Sequence, residues 1–173
     1  MTECDTFRHE RFERSRHAHL VGPLTEMLHR AYAPLATRGM RFYASHQPPE
    51  KTLERLERGE SCLILSGLRP VATVTLYKPD PLSDCDYYRK PKVYAFGQFA
   101  VDPAWQGRGL GRQLLDWTES RARELGAQEL ALDTSEGAHE LIALYHSRGF
   151  RLVSRTRWAS VNYDSVVMAK ALR

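Results

Sequence analysis

VYAFGQFAVDPAWQGRGLG, from Val93 to Gly111, is the stretch on which the rest of this chain turns. It reads as an apolar strand, a short turn, and a loop with glycine at 107, 109 and 111 that opens directly into a helix. Backbone N–H groups in such a loop, together with the positive end of the helix, form a site for phosphate oxygens. Glycines there remove the Cβ atoms that would hold a pyrophosphate away from those donors. The expectation is a nucleotide-like cofactor lying across the end of this strand.

Outward from that stretch, Val93–Val101 is apolar on both faces, as a central strand should be, and Gly97 in its middle points to a bulge or a ligand's close approach. Downstream, Leu110, Leu114, Trp117, Thr118, Ala122 and Leu125 mark one face of a helix that Gly126 stops. Glu129–Asp133 is a short strand. A helix over Ala138–Ser147 ends at Gly149, and Phe150–Ser154 and about Val161–Ala169 are two more strands. Upstream, Ser61–Leu65 and Val71–Tyr77 flank SGLRP as an antiparallel hairpin. Residues 78–92, KPDPLSDCDYYRKPK, read as a long exposed loop of the sort that often carries function. Near the N-terminus, residues about 6–12 form an edge strand, and a regular helix starts near Pro23 and ends at Gly39. A second helix runs from Pro49 to Arg58, with Gly59 as its C-terminal stop. The order β-α-α-β-β-β-α-β-α-β-β implies a mixed sheet with helices on both faces.

At 173 residues the chain fits one domain with one sizeable core. With 42% hydrophobic and 27% charged residues, neither disorder nor membrane insertion is indicated. MTECDTF has no basic start and no apolar stretch, so no signal peptide is expected. Cysteines at 4, 62 and 85, widely spaced and without a CxxC pair, favour reduced thiols in a cytoplasmic protein and no metal site. The net charge is +4, and the densest basic cluster, RHERFERSRHAH at 8–19, is interleaved with Glu10 and Glu13. A solvated strand and helix entry is preferred there over a nucleic-acid arm.

Three glycine-rich loops compete for the opening stretch. A P-loop requires lysine and Ser or Thr after its glycines, and none follows here. A GxGxxG dinucleotide fingerprint fits less well, because its third glycine falls on Arg112 or Leu114, although Asp133 ends the next strand about twenty residues on, as that motif asks. QGRGLG at 106–111 instead resembles the pyrophosphate loop of the GNAT superfamily of acyl-CoA-dependent N-acyltransferases, Q/R-x-x-G-x-G/A. FAVDPAWQGRGLGRQLLDW resembles that family's central strand, turn and helix. LYHSRGF at 144–150 resembles its second motif, a helical tyrosine before a Gly-Phe strand entry.

The resemblance implies an α/β (α+β) GNAT fold: a mixed, mostly antiparallel sheet of six to seven strands, a splayed central pair, and helices on both faces. It implies a single domain over 1–173, with 1–60 supplying the first strand and acceptor-side helices and 61–173 the acetyl-CoA-binding core. It places cofactor contacts on the backbone of Phe99, Ala100 and Val101, in the manner of an added strand. Loop amides from Gln106 through Gly107, Arg108, Gly109, Leu110 and Gly111 to Arg112 would hold the pyrophosphate, with Arg108 or Arg112 adding charge or simply lying on a solvated helix surface. Gly97-Gln98 would bulge and place the thioester in the gap, and Trp105 packs on the cofactor or on the protein. Tyr145 matches the family's tyrosine and is the candidate acid for the departing sulfur.

An attacking alkyl ammonium must first lose a proton. No carboxylate lies on the central strand, and Gln98 cannot serve as a base. Asp133, Glu136 and His139 are candidates, each equally readable as a helix cap or surface residue; DTSE at 133–136 reads as a helix-entry motif. An asparagine common in the family's next helix is Ala138 here, so one cofactor contact is not expected. The acceptor site is expected between the N-terminal helices and the 78–92 loop, lined by Tyr32, Met40, Phe42, Tyr43, Tyr87 and Tyr88, with Asp84 and Asp86 attracting a cationic amine. The implied activity is acetyl transfer from acetyl-CoA to a primary amine of a small molecule by direct attack in a ternary complex. Peptide or protein N-acetylation, and a non-catalytic acyl-CoA sensor, are the alternatives. Nucleic acid and membrane partners are not expected, and a homodimer is allowed.

Overall fold

The computed structural model describes residues 6–173; Cys4 and the other residues of MTECD, on which two of the expectations above partly rest, lie outside the described residues. In chain order the elements are strand β1 (Phe7–Arg11), helices α1 (Arg14–His17), α2 (Val21–Thr37) and α3 (Pro49–Arg58), and strands β2 (Glu60–Ser66), β3 (Arg69–Tyr77) and β4 (Val93–Val101). Helix α4 (Leu110–Glu124), strand β5 (Glu129–Ser135), helix α5 (His139–Ser147), and strands β6 (Arg151–Thr156) and β7 (Ser165–Ala171) follow. The strands form one seven-stranded sheet in the order β1-β2-β3-β4-β5-β7-β6. All its neighbours pair antiparallel except β4 and β5.

Period-2 alternation along β4 and β5 sends apolar side chains to both faces. Tyr94, Phe96, Leu130 and Leu132 pack with Leu110, Leu114 and Leu115 of α4 and with Tyr145 of α5. Ala95 and Ala131 turn the other way, under Cys85, Tyr87 and Tyr88. On that second face, nearer the N-terminus, Leu63, Leu65 and Ala100 meet Leu24, Met27 and Leu28 of α2 and Leu56 of α3. Each of these fully buried leucines removes apolar area worth about 1.5–3 kcal/mol from water. Helices therefore cover both faces, as the element order implied.

The parallel pair holds for only three positions, Val93↔Glu129, Tyr94↔Leu130 and Ala95↔Ala131. Beyond them β5 stays with β7 as far as Ser135↔Ser165, while β4 stays with β3 as far as Val101↔Ala72. The pair therefore splays, and the edge of β4 from Phe96 onward faces a gap. The expected bulge is also present. Thr75 pairs with Gly97 and Thr73 with Ala100, so Val74 alone opposes Gln98 and Phe99. Gln98 adopts φ +48, an unusual conformation for a non-glycine residue.

Four local expectations are corrected. Helix α2 begins at Val21, two residues before Pro23, which is harmless because a first-turn N–H has no intrahelical partner. Gly59 ends α3 in an extended conformation and not in the left-handed one of a glycine stop. A Cβ there would lie 2.4 Å from the Leu76 carbonyl oxygen, so glycine is needed for close approach to β3. Residues 78–92 are not wholly exposed: Cys85, Tyr87 and Tyr88 are buried around a short 3-10 turn at Asp86–Arg89. DTSE is not a helix entry, because pairing with β7 carries Asp133, Thr134 and Ser135 in the strand, and α5 starts after Ala138 with no side-chain cap.

Candidate functional site

A cleft of about 410 Å³ lies where β4 leaves β5. Its walls are Phe99, Ala100 and Val101 of β4, Gln106, Gly107 and Gly109 of the loop, Leu110 and Gly111 of α4, Tyr32 of α2, and Leu141 and Tyr145 of α5. Nearly all residues assigned to cofactor contact from sequence thus converge on one space. Gly107 and Gly109 take φ +77 and +78, and an added Cβ at either would meet nothing within 4 Å. Their requirement for glycine is therefore conformational on the protein side, and both face open space. Gly111 differs: its φ is ordinary, and a Cβ there would touch Phe99 at 3.5 Å.

Helix α4 enters this cleft with Gly109 as its N-cap, no side-chain cap and no acidic residue in its first turn. The donors of that turn remain available to an anion, and the helix dipole adds to them. The cleft thus suits a pyrophosphate-bearing arm. Two side chains lie outside its wall. The Arg108 guanidinium sits 4.7 Å over the ring of Trp105, which packs edge-on against Phe7. Arg112 is exposed and 3.8 Å from Asp116. The Gln106 side chain donates back to the Val101 carbonyl at 3.2 Å, tying the loop to the strand. Ala138 is fully buried against Leu35 and Met40.

Tyr145 is buried, its ring packed against Phe96, Phe99 and Phe150. Burial pushes its phenol well above the ordinary tyrosine value, so it stays protonated. It lines both the cleft and a second, larger space of about 830 Å³ on the other side of the splay. Tyr32 and Leu141 are the other residues shared by the two. The Tyr32 hydroxyl donates to the Phe99 carbonyl at 2.8 Å, a bond invisible in the sequence. Burial raises its phenol to about 12.

The larger space is walled by Lys51, Glu54, Arg55 and Arg58 of α3, the loop from Lys78 to Asp84, Gly97 and Gln98 of the bulge, Asp133 of β5, and Trp158 and Tyr163 before β7. Of the aromatic residues expected there, Tyr32, Phe42, Tyr43 and Tyr88 line it. Tyr87 instead donates to Glu129 at 2.6 Å, and Met40 packs with Leu35. Asp84 is in the wall, whereas Asp86 pairs with Arg89. Among the three candidate bases only Asp133 faces this space. Its carboxylate accepts from the Tyr88 hydroxyl at 2.7 Å and from Trp158 Nε1 at 2.8 Å. Burial raises its pKa even though both hydrogen bonds work the other way. Glu136 pairs with Arg155 at 2.7 Å, and neither it nor His139 lines the cavity.

A family model described as acetyltransferase (GNAT) family matches residues 24–150. The chain belongs to the GNAT family. It is an acetyl-CoA-dependent N-acetyltransferase. S-(2-succino)cysteine N-acetyltransferase of Bacillus subtilis is 28% identical over 155 residues, covering 87% of this chain and 89% of that protein. Among solved structures, the ribosomal-protein-S18-alanine N-acetyltransferase from Escherichia coli superposes with a TM-score of 0.70 at 19% identity, covering 96% of this chain and 94% of that one. The yncA protein from Salmonella typhimurium, solved with its cofactor acetyl-CoA, superposes with a TM-score of 0.68 at 16% identity, covering 97% and 95%. The splayed strands open onto the 410 Å³ cleft that the glycine loop and the start of α4 also line. Among the described residues, no group of three or more His, Cys, Asp or Glu is placed to hold a metal ion, and no helix is long and apolar enough to cross a membrane.

Proposed function

We propose that this GNAT enzyme acetylates a primary amine of a small molecule by direct attack within a ternary complex. The observation that carries the proposal is that the glycine-loop cleft and the larger cavity meet at Tyr145, in the gap between β4 and β5. When bound, acetyl-CoA supplies the thioester carbonyl that the amine attacks and the sulfur that leaves. The amides of the 106–112 loop hold the pyrophosphate, and the open edge of Phe99–Val101 takes the pantetheine arm as an added strand does. Tyr145, kept protonated by burial, donates to the departing sulfur. Asp133 accepts the amine's proton, directly or through water; its burial makes it a stronger base than a carboxylate in water.

A small acceptor fits the cavity, which is partly open and is walled by α3, the Lys78–Asp84 loop and the Trp158–Tyr163 segment. The Bacillus subtilis relative, named for an amino-acid-like acceptor, supports the same choice over a peptide terminus. Cys62 and Cys85 are both buried free thiols, in keeping with a cytoplasmic, reducing setting. The test is a panel of small amines and short peptides with acetyl-CoA, followed by thiol release. Turnover of small amines is expected, and faster turnover of peptide termini than of any small amine overturns the proposal.

A further inference from the structure

Arg55 lies in the wall of the larger cavity, and no described carboxylate lies within ion-pair distance of it. Its Nη1 donates to Gln47 Oε1 at 2.7 Å. Gln47 is fully buried, and its amide nitrogen is already spent on Thr52 Oγ1 at 2.8 Å and Gln98 Oε1 at 2.7 Å. That network leaves only the amide oxygen to face Arg55, so the guanidinium is oriented by a neutral group and keeps its full charge. Gly97 makes room for it: a Cβ there would come within 3.3 Å of Arg55 Nη2. The two other cations of α3 in this wall are engaged. Lys51 pairs with Glu54, and Arg58 lies 4.8 Å over the Tyr77 ring.

Asp133 faces the same cavity and stands beyond ion-pair distance of Arg55. One wall therefore presents a guanidinium with unused donors, and another a carboxylate with unused lone pairs. The complement of that pair is a zwitterion. We propose that Arg55 binds a carboxylate of the acceptor, so that the amine acetylated belongs to an amino acid or related amino-carboxylate and not to a simple alkylamine. A guanidinium held this way presents two parallel donors to a carboxylate. The inference rests on the acetyl-transfer site proposed above and names the acceptor class of that site.

Three matched acceptors test it: an S-alkyl cysteine, its carboxamide, and the corresponding S-alkyl cysteamine, each assayed with acetyl-CoA by thiol release. The wild-type chain is expected to favour the free acid by about 30-fold in kcat/KM, the range of a charge-assisted hydrogen bond. The carboxamide has the less basic amine and hence more free base at neutral pH, so this preference cannot come from nucleophile supply. Arg55→Gln should erase the preference, lowering turnover of the acid far more than that of the carboxamide or the cysteamine, with acetyl-CoA affinity unchanged. Equal wild-type turnover of the three overturns the proposal while leaving the acetyl-transfer site standing. An equal loss on all three in Arg55→Gln also overturns it, because that is the signature of a structural role. Thiol release with none of the three sinks both.

Discussion

Replacing Tyr145 by phenylalanine removes a single oxygen atom from the meeting point of the two cavities. The Tyr145 ring keeps its neighbours, with centroids 6.1 Å from Phe96, 6.3 Å from Phe99 and 6.0 Å from Phe150. Its hydroxyl makes no hydrogen bond to a described residue, so no partner is stranded by the change. Stability should therefore move by less than about 0.5 kcal/mol. Acetyl-CoA affinity should also hold, since the glycine loop and the β4 edge are untouched. Turnover is where the loss belongs. A positioned acid contributes roughly 10²–10⁴-fold, and a phenol whose pKa is raised by burial is a weak one. The low end, about 100-fold in kcat or about 2.7 kcal/mol of barrier, is expected. Because the phenol remains protonated throughout the working range, the ratio of wild type to variant should be flat with pH up to about 10. Thiol release at saturating acetyl-CoA and acceptor measures kcat, calorimetry measures CoA binding, and a melt checks the fold. A kcat within about twofold of wild type, with the other two unchanged, removes Tyr145 from the chemistry.

Gly109→Val should cost about 1–2 kcal/mol in stability, the usual penalty for a branched side chain in the left-handed region, and at least about tenfold in CoA affinity as the side chain enters the cleft. Gly22→Ala, at a position with ordinary φ and open space, is the control; calorimetric affinity equal to wild type for Gly109→Val would count against the pyrophosphate assignment. Asp133→Asn should lower kcat by about 100-fold and abolish the acidic limb of the pH–rate profile. In the wild type that limb, where the rate falls as Asp133 is protonated, should lie above the ordinary aspartate value because burial raises its pKa; persistence of the limb in the variant would assign it elsewhere. Glu60, bonded by Arg121 at 2.7 Å, has its pKa lowered by that bond. It should contribute stability above the unfolded glutamate value that is lost as pH falls through the lower folded value. Glu60→Gln should thus be less stable than wild type at pH 7 by under about 1 kcal/mol, the scale of a partly exposed pair. Urea melts should converge as pH falls below the lowered folded value of Glu60, and a gap that stays constant with pH would refute the linkage.

Features carried by local chemistry were legible before any coordinates. The two-faced apolar run of β4, the glycine spacing after it and the tyrosine before Gly149-Phe150 are periodic or short-range signals, and each led to the right element. The misreadings came where a distant partner overrode a local preference. Gly59 reads as a helix stop, yet its reason for being glycine is the Leu76 carbonyl on another strand. DTSE carries a good capping pattern, but hydrogen bonding with β7 wins over it. The Gln47–Gln98 bond joins residues 51 apart in sequence, and the Tyr32–Phe99 bond joins residues 67 apart, so no window on the chain could reveal either. In the sequence PEKTLERLER of α3, Arg55 is one charge among several. Only the burial of Gln47 distinguishes it from its neighbours.

The two cavities are furnished largely by different parts of the chain and, among the described residues, share only Tyr32, Leu141 and Tyr145. One is built from β4, the glycine loop and α4; the other takes most of its wall from α3, a surface loop and the segment before β7. On the proposed assignment of the two cavities, donor and acceptor recognition are mutationally separable. Substitutions on the two sides should add to within about 0.3–0.5 kcal/mol where they lie far apart and share no partner, so acceptor preference can drift among descendants of this sequence while the donor stays fixed. The three shared residues are the exception, where every change is felt by both substrates.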